Sequence, residues 1–307
     1  MKTYDELLQR WNNCQGGQIL VDHLHPIRMY LNITATQHRE LLIPVEKPVS
    51  SFRSTEAIGI RNYKNSDGYF FGIELLSENL INEYACLCFD LIESSRGASS
   101  GQGAIKVLFA TFMKWYTLMA SARVSILSDR EIRGLMGELM FISDIVECGF
   151  DENKLIDAWT THKDASRDFI FDDTWCEIKS IKTSNDYITV SSLDQLDHNM
   201  DGKLVVYRLD SVDITVPNAY TLNSLVDLVK GKLGIDSRTE LSRKLLSKGY
   251  TANELYDSLF YIFGKKSTYN VDASFPRISK DMISPAISAA EYEILLSKVE
   301  EWREKDG

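Results

Sequence analysis

The sequence predicts an α/β fold: a mixed sheet flanked by helices, with a β-rich N-terminal part and a mainly helical C-terminal part. Three observations carry this. Short runs of β-forming residues separated by Gly, Asn, Ser and Asp dominate up to about residue 76. Apolar residues then recur every three or four positions over residues 129–148, the period of a helix with one buried face. After residue 151 the period switches to two, the signature of strands.

Taken in order, residues 18–23 and 68–76 read as strands, and a helix is expected over 78–94. The run Ser94-Ser95-Arg96-Gly97-Ala98-Ser99-Ser100-Gly101-Gln102-Gly103 reads as a loop or linker and is taken as a domain boundary, with a flexible loop within one domain as the alternative. Helices follow at 104–120 and 129–148. Ser128 or Asp129 can cap the second, Leu135, Leu139 and Ile142 lie on its apolar stripe, and Gly149 can end it.

Residues 168–171 and 175–181 are two strands joined by the turn Asp172-Asp173-Thr174, and 187–190 is a third. Ser191 and Ser192 can cap a helix through Gln195 and Leu196, and 204–209 is a buried strand. The remainder suggests helices at 222–233, 238–247, 252–259 and 289–304. A hairpin of 261–263 with 268–271 would turn across Lys265-Lys266. Three regions result: 1–100, a β-rich domain; 101–215, a central core; and 216–307, a helical region.

Composition narrows the function. The 307 residues are 44% hydrophobic and 25% charged, an ordinary globular balance. No run of eighteen apolar residues and no secretory leader is seen, so a cytoplasmic location is expected. Cys14, Cys86, Cys88, Cys148 and Cys176 are odd in number and irregular in spacing. That points to reduced, mostly buried thiols rather than a disulfide framework. Cys86-x-Cys88 lacks a second pair, which argues against structural zinc. A net charge of -10 argues against coating nucleic acid by bulk charge, while leaving room for a local basic track. There is no Walker loop and no dinucleotide fingerprint, so ATP hydrolysis by this chain is not expected.

The candidate chemistry lies in residues 168–181. Side chains at i and i+2 share a strand face, so Glu177 and Lys179 are neighbours, while Ile178 and Ser180 point the other way. A tight turn can bring Asp168 alongside. Two carboxylates suit Mg²⁺, which keeps several waters, and a lysine beside them can orient a nucleophile or stabilise charge. Taken alone, Glu-x-Lys is common on exposed strand faces, and an Asp near a turn is commonly a turn residue. Gly134-Leu135-Met136-Gly137-Glu138 adds weight. Two poor helix formers make sense where a helix packs closely on a sheet and aims Glu138 at the site.

In this order, Glu138, Asp168 and Glu177-Ile178-Lys179 resemble the PD-(D/E)XK nuclease superfamily over residues 137–209, about a quarter of the chain. Trp159 and Phe275-Pro276-Arg277-Ile278 add a similarity to an uncharacterised bacterial branch linked to restriction-modification and phage defence. The resemblance implies a restriction-endonuclease-like fold and Mg²⁺-dependent DNA cleavage, with Mn²⁺ as a substitute. Asp168, Glu177 and the Ile178 carbonyl would bind metal. Lys179 would activate water or stabilise the transition state, and Glu138 would bind a second ion or position the first shell. Gln195 would support the site or the phosphate. Apart from the resemblance, Arg167 and Lys182 flank the site and could contact the DNA backbone, with surface solvation of the hairpin as the alternative. The resemblance also implies a homodimer or a larger complex, with a methyltransferase or an ATPase as partner. The chain departs from the pattern at Arg167, where the family name has proline, and at Asn199, where some members carry Tyr. A catalytically silent scaffold binding DNA or proteins is the competing expectation, and a repair or recombination nuclease is a third.

Weaker signals complete the reading. His162 can touch phosphate, and Lys163 can contact the DNA backbone. His23 and His25 would share a strand face as a metal pair. Arg238, Arg243, Lys244 and Lys248, with Tyr250 and the expected hairpin, could form a DNA-reading helix and wing.

Overall fold

A computed structural model describes residues 4–14, 17–121, 126–161, 167–197, 200–284 and 286–305. The chain is α/β and divides into two compact units: Met1–Ser125 with Thr239–Ala252, and Ile126–Arg238 with Asn253–Gly307.

In the first unit α1 (Tyr4–Asn12) precedes five strands: β1 (Ile19–Leu20), β2 (Tyr30–Ile33), β3 (Arg39–Val45), β4 (Ile58–Asn65) and β5 (Gly68–Leu75). They form one antiparallel sheet in the order β1-β2-β3-β5-β4. The strand expected over 68–76 is met by β5, and Leu41 and Ile43 of β3 and Phe71 and Ile73 of β5 are fully buried. Helices α2 (Ile81–Arg96) and α3 (Gly101–Ser121) follow, and Phe71 packs edge-on against Phe109 and Phe112 of α3. The Ser/Gly-rich stretch is therefore a short turn between two helices of one unit, not an interdomain linker. Ser94 on α2 reaches Thr111 on α3 at 3.1 Å. The expected histidine pair does not form on a strand. His25 is buried, with Nδ1 accepting from the Ile27 amide at 3.0 Å and Nε2 donating to the Ile92 carbonyl at 2.8 Å, while His23 is exposed.

The second unit opens with α4 (Asp129–Glu147). Ser128 and Glu131 form the reciprocal capping box, and Gly149 sits at φ +82° just past the end. Then come α5 (Glu152–Ala158), β6 (Phe169–Ile170), β7 (Trp175–Ile181), β8 (Tyr187–Val190), β9 (Gly202–Val212) and α6 (Leu222–Lys232). After α7 (Ile235–Ser247), within which the unit boundary falls, come β10 (Phe260–Val271) and β11 (Tyr292–Leu295). The main sheet is mixed, in the order β10-β9-β7-β6. β7 and β9 run parallel, and the other pairs are antiparallel. Helix α4 packs on β7, and Gly137 makes this possible. A Cβ there would lie 2.1 Å from Ser180 Oγ and 3.4 Å from Ile178 Cγ2.

Three expected elements differ. The hairpin at 261–271 is one twelve-residue strand, β10. A register shift between Phe263 and Lys266 absorbs the lysines, and Lys266 turns to Asp144 at 2.8 Å. Residues 254–258 form only a 3-10 turn. The helix expected over 289–304 is β11 plus short 3-10 turns. β11 pairs with β8, which places Ile294 and Leu296 in a core with Ile188 and Val190. Among the described residues no helix is long and apolar enough to cross a membrane.

Candidate active site

The site is built on β7, which lies between β6 and β9. Strand alternation puts Glu177 and Lys179 together, with Nζ of Lys179 2.9 Å from Oε1 of Glu177. Lys179 also donates to Oε1 of Gln195 at 3.1 Å, and that oxygen accepts the Ser191 amide at 2.8 Å. Gln195 sits in a 3-10 turn, Leu193–Gln195, rather than the expected helix. There it holds the lysine.

Asp168 immediately precedes β6, where Phe169 pairs with Cys176. Its Oδ2 accepts the Ile178 amide at 2.8 Å, so the carboxylate is fastened to the backbone between Glu177 and Lys179. On α4, Glu138 is 8% exposed, and its Oε2 accepts the Trp159 indole N–H at 2.5 Å.

Electrostatics follow from burial. Glu177 is 2% exposed, and its Oε2 has no hydrogen-bond partner. Burial pushes its carboxyl up to about 8. The charge of Asp168 adds to this, as does that of Glu138, while Lys179 pulls the other way. A buried carboxyl with one unpartnered oxygen, pushed up by two neighbouring negative charges, is an arrangement that a cation would relieve.

Around these residues lies a cleft of about 610 Å³. Asp168, Glu177 and Lys179 line it together with Arg130 of α4, Tyr187 and Thr189 of β8, and Lys182. Lys182 is exposed at the cleft, where a backbone contact would need it. Arg167 is not. It is 6% exposed, its guanidinium lies 4.9 Å over the Trp175 ring, and Nη2 donates to the Asp197 carbonyl at 2.7 Å. Burial lowers its pKa. The expectation that Arg167 contacts DNA gives way to a packing role, because its neighbours in space are far away in sequence. His162, Lys163 and Asn199 lie outside the described residues.

Sequence reasoning missed Arg130, which is exposed and reaches Ser191 Oγ at 3.4 Å. The signal was present: Arg130, Gly134 and Glu138 are spaced by four along one helix. Arg133 also lines the cleft but is committed elsewhere, to Asp129 at 2.8 Å and to the Leu209 carbonyl at 2.6 Å. On α7, Arg243 pairs with Glu240 and Lys244 is buried. The four cations there do not form one exposed row.

A family model described as "Putative PD-(D/E)XK family member, (DUF4420)" matches residues 2–297. The chain belongs to this family. No curated protein and no solved structure matches it. Nucleases of the PD-(D/E)XK type use divalent metal ions, so the donor set of this DUF4420 member can be tested for fit. Among the described residues no group of three or more His, Cys, Asp or Glu side chains is gathered to hold a metal. Asp168 is fastened to the Ile178 amide, its charge acts on Glu177, and Glu177 Oε2 is buried without a hydrogen-bond partner. A hydrated hard cation needs few protein oxygens, and this set suits one.

Proposed function

We propose that this chain hydrolyses phosphodiester bonds in DNA as a Mg²⁺-dependent endonuclease, with Mn²⁺ able to substitute. The observation that carries the reading is Glu177: buried, short of a partner at one oxygen, and set between Asp168 and Lys179. Family membership supports the nuclease class.

Asp168, Glu177 and the Ile178 carbonyl would hold the ion, with Glu138 close behind. When bound, the ion acidifies water and polarises a phosphoryl oxygen. The chain supplies the rest. Lys179, anchored by Glu177 and Gln195, keeps an ammonium at the reacting phosphate and stabilises its growing negative charge. Gln195 takes up none of the chemistry. Its oxygen fixes where the ammonium sits. Arg130 and Lys182 contact the DNA backbone at the cleft, a sequence-independent role.

Cutting both strands takes two sites, so a homodimer or a complex is part of the proposal. The similarity carried by Trp159 and residues 275–278 supports a role in restriction or phage defence, with a methyltransferase or an ATPase supplying sequence choice. A net charge of -10 favours a different reading, a catalytically silent scaffold. Incubation of plasmid and linear DNA with Mg²⁺ or Mn²⁺ decides between them. Cutting that EDTA and Asp168→Ala both abolish is expected. Cutting that survives Asp168→Ala contradicts the assignment.

A further inference from the structure

We propose that Trp159 is a positioning residue that locks the two arms of the metal site together; the proposal rests on the nuclease reading. Trp159 follows α5 and is 1% exposed. Its indole N–H donates to Glu138 Oε2 at 2.5 Å, across twenty-one residues of sequence. Its backbone forms an antiparallel bridge with Phe169, and the next amide, of Thr160, donates to the Asp168 carbonyl at 2.8 Å. The indole also stacks on the Phe169 ring, with centroids 6.4 Å apart and planes 17° apart. One residue therefore grips the carboxylate on α4 by its side chain and the segment carrying Asp168 by its backbone.

Packing alone does not require this. A buried indole needs an acceptor, and any neutral carbonyl would serve. Here the acceptor is a carboxylate, which gives a short, charge-assisted bond. An indole N–H is only a donor, so it fixes one oxygen of Glu138 and with it the plane of the carboxyl group. Phenylalanine at 159 would keep most of the stacking and the backbone bridge. It would remove the indole donor from Glu138 Oε2 and loosen the link between α4 and the segment that carries Asp168. Partners that orient metal-binding groups in this way typically contribute on the order of 10- to 100-fold in ion affinity.

Calorimetric titration of the full chain with Mn²⁺ alone tests this, using wild type, Trp159→Phe, Glu138→Ala and the double variant. The expected result is a loss of about 10-fold or more in Mn²⁺ affinity for each single variant. The double variant should be no weaker than Glu138→Ala alone, because both substitutions remove one linkage. Affinity unchanged in Trp159→Phe, or losses that add, would overturn the proposal while leaving the nuclease reading intact. A wild-type chain that binds no Mn²⁺ would remove the nuclease reading and this inference with it. Should Trp159→Phe fail to fold, indole ¹⁵N–¹H spectra of wild type and Glu138→Ala carry the test. The indole resonance moved by Glu138→Ala must be the one Mg²⁺ moves in wild type. Mg²⁺ moving a different indole, or none, overturns the proposal.

Discussion

Glu177→Gln removes a carboxyl that the fold holds at 2% exposure and that burial and the charges of Asp168 and Glu138 push up, and its effect should depend on pH. The folded chain keeps a proton on Glu177 up to a pH of about 8, whereas the unfolded chain releases it near 4.5. Between those values the folded state binds more protons, so stability falls as pH rises. The loss is absent below about 4.5 and complete above about 8. That interval corresponds to an upper bound of roughly 5 kcal/mol, at about 1.4 kcal/mol per unit. Glutamine keeps an oxygen for Lys179 and carries no charge, so the variant should lack this slope. Urea unfolding in EDTA at pH 5 and pH 8.5 measures it. The two proteins should be close in stability at pH 5, and the variant should be several kcal/mol more stable at pH 8.5. Adding Mg²⁺ at pH 8.5 should narrow the gap, because an ion that binds only the folded wild type stabilises it. A difference between the proteins that does not change with pH would refute the argument that Glu177 is a buried, strained acid.

Three further outcomes follow from the geometry. Gln195→Ala should lower kcat about 10-fold or more with little change in KM, since Lys179 loses the acceptor that fixes it; single-turnover cleavage measures this. Gly202→Ala should cost about 1–3 kcal/mol in thermal unfolding, because its Cβ would fall 2.1 Å from the Trp175 indole, which is itself buried. Arg130→Ala and Lys182→Ala should each reduce the salt slope of DNA binding by about one, uniformly across sequences, as read by anisotropy titrations at several salt concentrations.

Local chemistry made much of this legible. The period of two over 175–181 placed Glu177 and Lys179 on one face, and the capping residues Ser128 and Gly149 marked both ends of α4. The pair Gly134 and Gly137 pointed to close helix–sheet packing; Gly137 does press on Ser180, whereas a Cβ at Gly134 would meet nothing within 4 Å. What escaped depended on distant partners. Gly264-Lys265-Lys266 looks like a turn, yet β9 offers a continuous edge that keeps β10 running through a bulge. Residues 289–304 have helical spacing, but pairing with β8 and burial of Ile294 and Leu296 override local propensity. Arg167 reads as a surface cation until Trp175 and Asp197 are known to surround it. The contact of Trp159 with Glu138 has no sequence signature, because a donor and an acceptor twenty-one residues apart meet only once α5 and β6 are in place.

The most direct test of the central claim separates holding the ion from using it. Wild type and Lys179→Ala are compared for Mn²⁺ binding by calorimetry and for DNA cleavage under the same conditions. Both should bind Mn²⁺ and only the wild type should cut, since Asp168 and Glu177 remain while the ammonium that stabilises the transition state is gone. Cleavage by Lys179→Ala at the wild-type rate would contradict the central claim.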